Sequence, residues 1–177
     1  YKVLTLDPKG NFINEIRKNK PQIVFNALHG RYGEDGFVQS ILESERIKYT
    51  HSGVLASSIA IDKEISKKIF IKNNINTPKY FIYDYKNNGK ILVELKKKKI
   101  NFPVVIKPIN EGSSLGVFIC TKKNIHKKLL LLKDYQRIII EEYIPGREIQ
   151  VAILGKKKLG AIELKPKRKF YDYYAKY

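Results

Sequence analysis

The chain has 177 residues, of which 43% are hydrophobic and 29% charged, as is typical of a globular protein with a buried core. Its formal net charge is +18, with 35 Lys and Arg against 17 Asp and Glu, which favours nucleic acid, acidic lipid or phosphate-bearing ligands as partners. A single cysteine, Cys120, excludes an internal disulfide framework, and no apolar run approaches the roughly 18 residues of a membrane helix.

The first part of the chain alternates predicted strands and helices. The segment PQIVFNALHG, residues 21–30, predicts a buried strand closed by glycine, and IKYTHSG, residues 47–53, predicts a second short strand. Between them, apolar residues recur at helical spacing over residues 37–42, after Asp35 as a candidate N-cap. This alternation indicates an α/β domain with parallel strands.

A predicted amphipathic helix joins this part to the next. Over residues 57–73, Ile61, Ile65 and Ile69 recur at helical spacing, with lysines among the other positions. A strand is expected after Pro78, in NTPKYFIYDY, followed by a turn and a basic helix. We place the boundary between two domain types near Asp62.

The later part predicts antiparallel hairpins. FPVVIKP and GVFIC flank a glycine- and serine-rich loop, and REIQVAILG and LGAIELKP flank a lysine-rich turn. A helix with Leu129, Leu130 and Leu132 on its apolar side and the strand RIIIEEYIPG lie between the two hairpins. The sequence therefore predicts α/β followed by α+β.

The loop EGSSLG after Lys107 is a candidate phosphate site. Backbone N–H groups of glycine and serine can approach an anion closely, and a half-buried lysine requires a carboxylate or a phosphate as counter-charge. The segment is not a P-loop, because no Gly-Lys-Ser/Thr follows it. A plain turn beside a lysine that extends to solvent explains the same residues.

Two further segments carry candidate binding residues. Glu141, Tyr143, Ile144 and Glu148 could form an apolar slot bordered by carboxylates, which suits an adenine and a ribose; surface glutamates at a strand end are the alternative. The tyrosine-rich KFYDYYAKY, residues 169–177, could bind single-stranded nucleic acid or form a lid with a phosphate-contacting lysine.

Taken together, these segments resemble the D-alanine–D-alanine ligases of the ATP-grasp superfamily. The matching stretches are ALHGRYGEDG, YTHSGVLASSIAIDK, PVVIKPINEGSSLGV, IIEEYIPGREIQVAIL and FYDYYAKY. They occur in the family's order and at about its spacing. The resemblance implies an ATP-grasp fold with a partial N-terminal α/β domain (1–62), a central ATP-grasp subdomain (63–146) and the start of the C-terminal subdomain (147–177).

The resemblance also implies roles for individual residues. Lys63 and Lys107 would contact the ATP phosphates from two sides, under a flexible loop. Glu141 would accept from the adenine amino group, the backbone at Tyr143 and Ile144 would line the adenine slot, and Glu148 would hold the ribose. The loop residues are Glu111, Gly112, Ser113, Ser114 and Gly116.

The remaining implied roles concern catalysis. Lys176 would reach the transferred phosphate, Ser113 and Tyr177 would hydrogen-bond to close the lid, and His29 would lie beside the first D-alanine. ATP would phosphorylate one D-alanine, and the amine of a second would then attack the acyl phosphate. Mg²⁺ or Mn²⁺ is implied, with its ligands expected beyond Tyr177, so the sequence names no metal ligand.

The family's glutamate for the first D-alanine and its oxyanion arginine are also not found in these residues, so we expect no turnover by this piece alone. A tyrosine at position 177 goes with D-alanine as second substrate in such enzymes. We expect a cytoplasmic protein that could form a homodimer, with no nucleic-acid or membrane partner. A D-alanine–D-serine or D-lactate ligase and a basic nucleic-acid-binding domain remain the alternatives.

Overall fold

The computed structural model describes residues 2–87 and 90–165, which form two compact units, Tyr1–Asp62 and Lys63–Tyr177. The three-part division predicted above, with its second boundary after Gly146, stays a prediction. No helix among the described residues is long and apolar enough to cross a membrane.

The first unit contains a short parallel sheet and three helices. Strands β1 and β2 pair in parallel, as the sequence predicted, with Ile23 opposite Lys48. Helices α1 and α2 contribute Ile16, Val38 and Leu42 to a small core. The elements in chain order are α1 (Phe12–Asn19), β1 (Ile23–Val24), α2 (Phe37–Ser44), β2 (Lys48–Tyr49) and α3 (Val54–Ile61).

The expectation of a buried strand over residues 21–30 is wrong. The strand spans only two residues, and Ile23 is 59% exposed. Successive side chains of a strand point to opposite faces, so Val24 packs against the core while Ile23 faces away from it. Asp35 is also not the N-cap residue of α2, which is Gly36, although its carboxylate accepts a hydrogen bond from the backbone N–H of Phe37.

A buried polar cluster holds the loop between β1 and α2. The side-chain amides of Asn26 and Gln39 both donate to the carbonyl of Gly33, at 2.9 and 2.8 Å. Both amide nitrogens also lie 3.3 Å from Nδ1 of His51. Because the nitrogen of a side-chain amide can only donate, the ring nitrogen between these two amides acts as the acceptor. This loop carries His29.

The second unit is built on a four-stranded antiparallel sheet. The strand order is β3-β6-β4-β5, and β7 and β8 form a separate antiparallel hairpin. Both hairpins that the sequence predicted are therefore confirmed. The elements are α4 (Lys63–Lys72), β3 (Tyr80–Asp84), α5 (Ile91–Lys98), β4 (Val104–Pro108), β5 (Phe118–Cys120), α6 (Ile125–Leu130), β6 (Arg137–Glu142), β7 (Glu148–Leu154) and β8 (Lys157–Leu164).

Alternation along the central strands separates an apolar face of the sheet from a charged one. Val104, Ile106, Ile138 and Ile140 are fully buried in one cluster with the apolar residues of α5 and α6. Residues of odd number on β4 and β6 point the other way. In the register of β4 and β6, Lys107 lies opposite Ile139, and Glu141 lies opposite Val105. Lys107 and Glu141 are thus diagonal neighbours on the same face.

Two helix predictions need correction. The single helix expected over residues 57–73 is two helices, α3 and α4, separated at Asp62, whose backbone is extended with ψ 104°. On α4 the expected apolar positions Ile65 and Ile69 are 43% and 41% exposed, whereas Lys67 is buried. On the helix after β5, Leu129 and Leu132 are buried as predicted, but Leu130 is 70% exposed.

The glycine- and serine-rich loop between β4 and β5 has a constrained backbone. Ser113, Ser114 and Gly116 all have positive φ, at 50°, 58° and 67°. A Cβ atom on Gly116 would lie 2.9 Å from Cδ2 of Leu132 and 3.0 Å from Cγ of Pro108. Both the left-handed backbone and the close packing therefore require glycine at position 116.

Replacing Gly116 by alanine should destabilise the protein for both of these reasons. We expect the free energy of unfolding to fall by about 1–2 kcal/mol from the left-handed backbone and by about 1–3 kcal/mol from the overlap. Urea denaturation measures the sum. Gly155→Ala is the matched control, because φ is 58° there and nothing lies within 4 Å of an added Cβ. Equal losses for the two variants would contradict the packing argument.

The thiol of Cys120 should be unreactive in the folded protein. The residue is fully buried, as the sequence predicted, and burial raises the pKa of the thiol to about 11. Since the thiolate is the reactive species, we expect Ellman's reagent to label it at least ~100-fold more slowly at pH 8 than in the guanidinium-unfolded chain. The chain has 1 cysteine, so the assay is unambiguous. Similar rates in both states would contradict the burial.

Candidate active site

A cavity of about 270 Å³ lies in the second unit, at the end of β4 and under the glycine- and serine-rich loop. The N-terminus of α4, the end of β4, the loop itself and the start of β7 form its wall. The lining residues are Lys63, Lys107, Pro108, Glu111, Gly112, Ser113, Ser114, Leu115, Val117 and Glu148. Two lysines that are 44 positions apart in the numbering thus meet at one cavity beside the loop.

Lys63 is fixed against the base of this loop. Its backbone N–H donates to the carbonyl of Ile109 at 3.1 Å. Its ammonium group donates to the same carbonyl at 3.2 Å and also to the carbonyl of Glu111. Because Lys63 is the first residue of α4, these bonds join the start of the helix to the strand-to-loop junction.

Lys107 is paired with a buried carboxylate. Its ammonium group donates to Oε1 of Glu141, and the two side chains are 22% and 8% exposed. The counter-charge that the sequence required for Lys107 is therefore present within the chain. Lys107 reaches the cavity wall while Glu141 does not, so the carboxylate lies behind the lysine as seen from the cavity.

Glu141 is also paired with a second lysine, Lys67 of α4. The ammonium group of Lys67 lies 2.9 Å from Oε2 of Glu141, and both side chains are 8% exposed. It also donates to Oγ1 of Thr77 at 2.7 Å and to the carbonyl of Pro78 at 3.0 Å, and it lies 4.9 Å from the ring centroid of Tyr80. Burial lowers the pKa of Lys67, while the Glu141 carboxylate acts in the opposite direction.

Sequence reasoning missed Lys67, because its neighbours on α4 suggested an apolar inner face. One signal could have indicated it. Lys67 follows Lys63 by four residues, so both lie on one face of the helix. If Lys63 faces a binding site, a lysine one turn later faces the same sheet.

Several of the residues that the sequence predicted for the site do not line this cavity. Tyr143 is half-buried and Ile144 is 58% exposed, and neither belongs to the lining of this cavity. Gly116 shapes the loop without lining the cavity. Lys176 and Tyr177 lie outside the described residues, as does the predicted lid. His29 lies in the first unit, and its role stays a prediction.

The chemistry of the cavity suits an anionic group of several oxygens. Two lysines and two serines line it, and a glycine- and serine-rich loop is of the kind whose backbone N–H groups can approach an anion closely. Glu111 and Glu148 add acceptors at its edge. Among residues 2–87 and 90–165, no group of three or more His, Cys, Asp and Glu could hold a metal ion.

The chain is similar in sequence and in fold to known ligases. The family model described as "D-ala D-ala ligase C-terminus" matches residues 63–177. A D-alanine–D-alanine ligase of Pelagibacter ubique (strain HTCC1062) is 62% identical over 177 residues, which are 100% of this chain and 58% of the relative. The chain therefore spans a little more than half the length of the curated relatives that it matches.

Two solved structures of D-alanine–D-alanine ligase from Bacillus anthracis resemble the structure of this chain. One has a TM-score of 0.81 and 36% identity, covering 99% of this chain and 57% of that chain. The other, complexed with ATP, has a TM-score of 0.77 and 31% identity, covering 97% and 57%. These neighbours establish the ATP-grasp fold that the sequence predicted. The family model matches well over half of the residues of this chain, and the chain therefore belongs to the D-alanine–D-alanine ligase family.

Proposed function

We propose that the whole protein is an ATP-dependent ligase that joins two D-alanines through a D-alanyl phosphate, giving D-alanyl-D-alanine, ADP and phosphate for peptidoglycan synthesis. The observation that supports this most directly is the convergence of Lys63 and Lys107 on one cavity beside the loop of residues 111–117. A nucleotide triphosphate is a ligand that needs two separated cations and a backbone cradle together.

The proposed reaction assigns separate tasks to the described residues. Lys63 and Lys107 hold the phosphates and neutralise the charge that builds up during phosphoryl transfer. The loop of Glu111, Gly112, Ser113 and Ser114 covers the triphosphate and excludes water, which would hydrolyse the acyl phosphate.

The nucleoside would lie next to the triphosphate. Glu148 at the edge of the cavity accepts from the ribose hydroxyls. The backbone at Tyr143 and Ile144 lines the adenine slot, and Glu141 accepts from the adenine amino group through a lone pair not used by its lysine partners. A carboxylate has about four acceptor positions, which allows this third partner.

The proposal extends to His29 of the first unit and to Lys176 and Tyr177, which lie outside the described ranges. Lys176 reaches the transferred phosphate, Tyr177 closes the lid against Ser113, and His29 lies beside the first D-alanine. Mg²⁺ or Mn²⁺ would neutralise part of the triphosphate charge when bound. The described residues offer no group of three or more His, Cys, Asp and Glu that could hold such an ion. A cytoplasmic location and a homodimer belong to the same proposal.

Turnover by the full-length protein tests this function. We expect release of ADP that depends on D-alanine in the presence of ATP and Mg²⁺. Lys107→Ala should lower kcat/KM by at least about 100-fold, because one of the two cations that hold the ATP phosphates is lost. Lys122→Ala is the control, since Lys122 is an exposed lysine of the same unit outside the cavity, and its kcat/KM should stay within about 2-fold of wild type.

The same assay distinguishes the alternatives. ADP release that requires D-serine or D-lactate as second substrate would replace D-alanine in the proposal by that substrate. No ADP release with any of these substrates would contradict the ligase. Salt-sensitive retention of single-stranded RNA without any response to ATP would instead support a nucleic-acid-binding function.

A further inference from the structure

We propose that Lys67 is a positioning residue of the nucleotide site, which offsets the charge of the Glu141 carboxylate so that the cluster around Lys107 presents a net positive charge to a phosphate. This inference rests on the proposed function, since it assumes that the cavity binds ATP. It concerns a side chain that does not line the cavity, and that acts only through the residue between it and Lys107.

The contacts of Lys67 are those of a cation held for electrostatic reasons. Its side chain is 8% exposed, it pairs with Glu141, and it donates to Thr77 and Pro78. Burying an ammonium group is costly, and a well-packed apolar residue at such a position is often equally stable. We therefore infer that the charge of this buried lysine, on the face of α4 that packs against the sheet, has an electrostatic role.

The charge balance of the cluster indicates that use. Lys67, Glu141 and Lys107 contribute two positive charges and one negative charge, a net charge of +1. Each oxygen of the carboxylate serves one lysine. Without Lys67, the Lys107–Glu141 pair would be neutral, because the carboxylate would offset the charge of Lys107, and a phosphate arriving there would meet no net positive charge from the cluster.

The register of the sheet explains why the effect reaches the cavity. Glu141 and Lys107 are diagonal neighbours on adjacent strands, so the carboxylate is fixed behind the lysine by backbone pairing. Lys67, on α4, holds the second carboxylate oxygen of Glu141. As a result the carboxylate is oriented by two elements and cannot turn away from Lys107 without breaking the contact with Lys67.

Steady-state kinetics of the full-length enzyme test the inference. We expect Lys67→Met to raise the KM for ATP by about 10-fold or more, with kcat lowered by less than about 3-fold and the KM for D-alanine within about 2-fold of wild type. Lys67→Arg keeps the charge and should restore most of the ATP affinity. Lys68→Met is the matched control, because Lys68 is the adjacent, exposed lysine paired with Glu64, and it should leave all three constants unchanged.

A double-mutant cycle with Glu141→Gln separates this role from a merely structural one. If Lys67 acts by compensating the carboxylate, Lys67→Met should change the ATP dissociation constant by less than about 2-fold once Glu141 is already glutamine. An equal loss of ATP affinity in both backgrounds would overturn the inference, as would an unchanged KM for ATP in Lys67→Met. A lower kcat with unchanged KM values for both ATP and D-alanine would also overturn it.

Separate control experiments distinguish a folding defect from a loss of function. Thermal melting identifies variants that do not fold, and Lys67→Gln, which removes the charge but keeps a hydrogen-bond donor, is judged by the same criteria if the methionine variant does not fold. Wild-type enzyme that releases no ADP would contradict the proposed ligase itself. Wild-type turnover together with a Lys67→Met enzyme of normal ATP affinity would contradict only the role of Lys67.

Discussion

The placement of one carboxylate, Glu141, between two lysines is the interaction on which the rest of the site depends. Lys107 occupies a strand whose other face is fully buried, and such a position tolerates an ammonium group only with a counter-charge close by. Glu141 supplies it from the adjacent strand, and Lys67 balances the pair from the helix. The cluster leaves one positive charge next to the cavity, where an anionic ligand can use it.

The antiparallel sheet makes this cluster possible by separating two kinds of side chain. Alternate residues of β4 and β6 pack into the apolar core with α5 and α6, and that core fixes the register of the strands. A shift of one residue would exchange the buried isoleucines with Lys107 and Glu141, at a large cost in hydrophobic burial and desolvation. The stability of the apolar face therefore enforces the geometry of the charged face.

The strand-to-loop junction after β4 links this sheet to the start of α4. Lys63 donates to two carbonyls at the base of the loop, and Gly116 packs against Leu132 and Pro108 at its other end. The loop is thus anchored at both ends while the serines between them border the cavity. An anchored loop presents its backbone donors in a defined place. This lowers the entropic cost of ordering the loop when a ligand binds.

The sequence by itself determined the order of domain types, both antiparallel hairpins, the burial of Cys120 and the convergence of Lys63 with Lys107, because local patterns and the five matching segments carry that information. Only the tertiary structure decided which face of α4 is buried and which partner neutralises Lys107. Helical spacing favoured Ile65 and Ile69 as the inner face, yet Lys67 is buried instead. The physical reason is that a lysine's environment depends on a carboxylate 74 positions later in the numbering, Glu141, and pairing over such a separation leaves no periodic trace in the sequence.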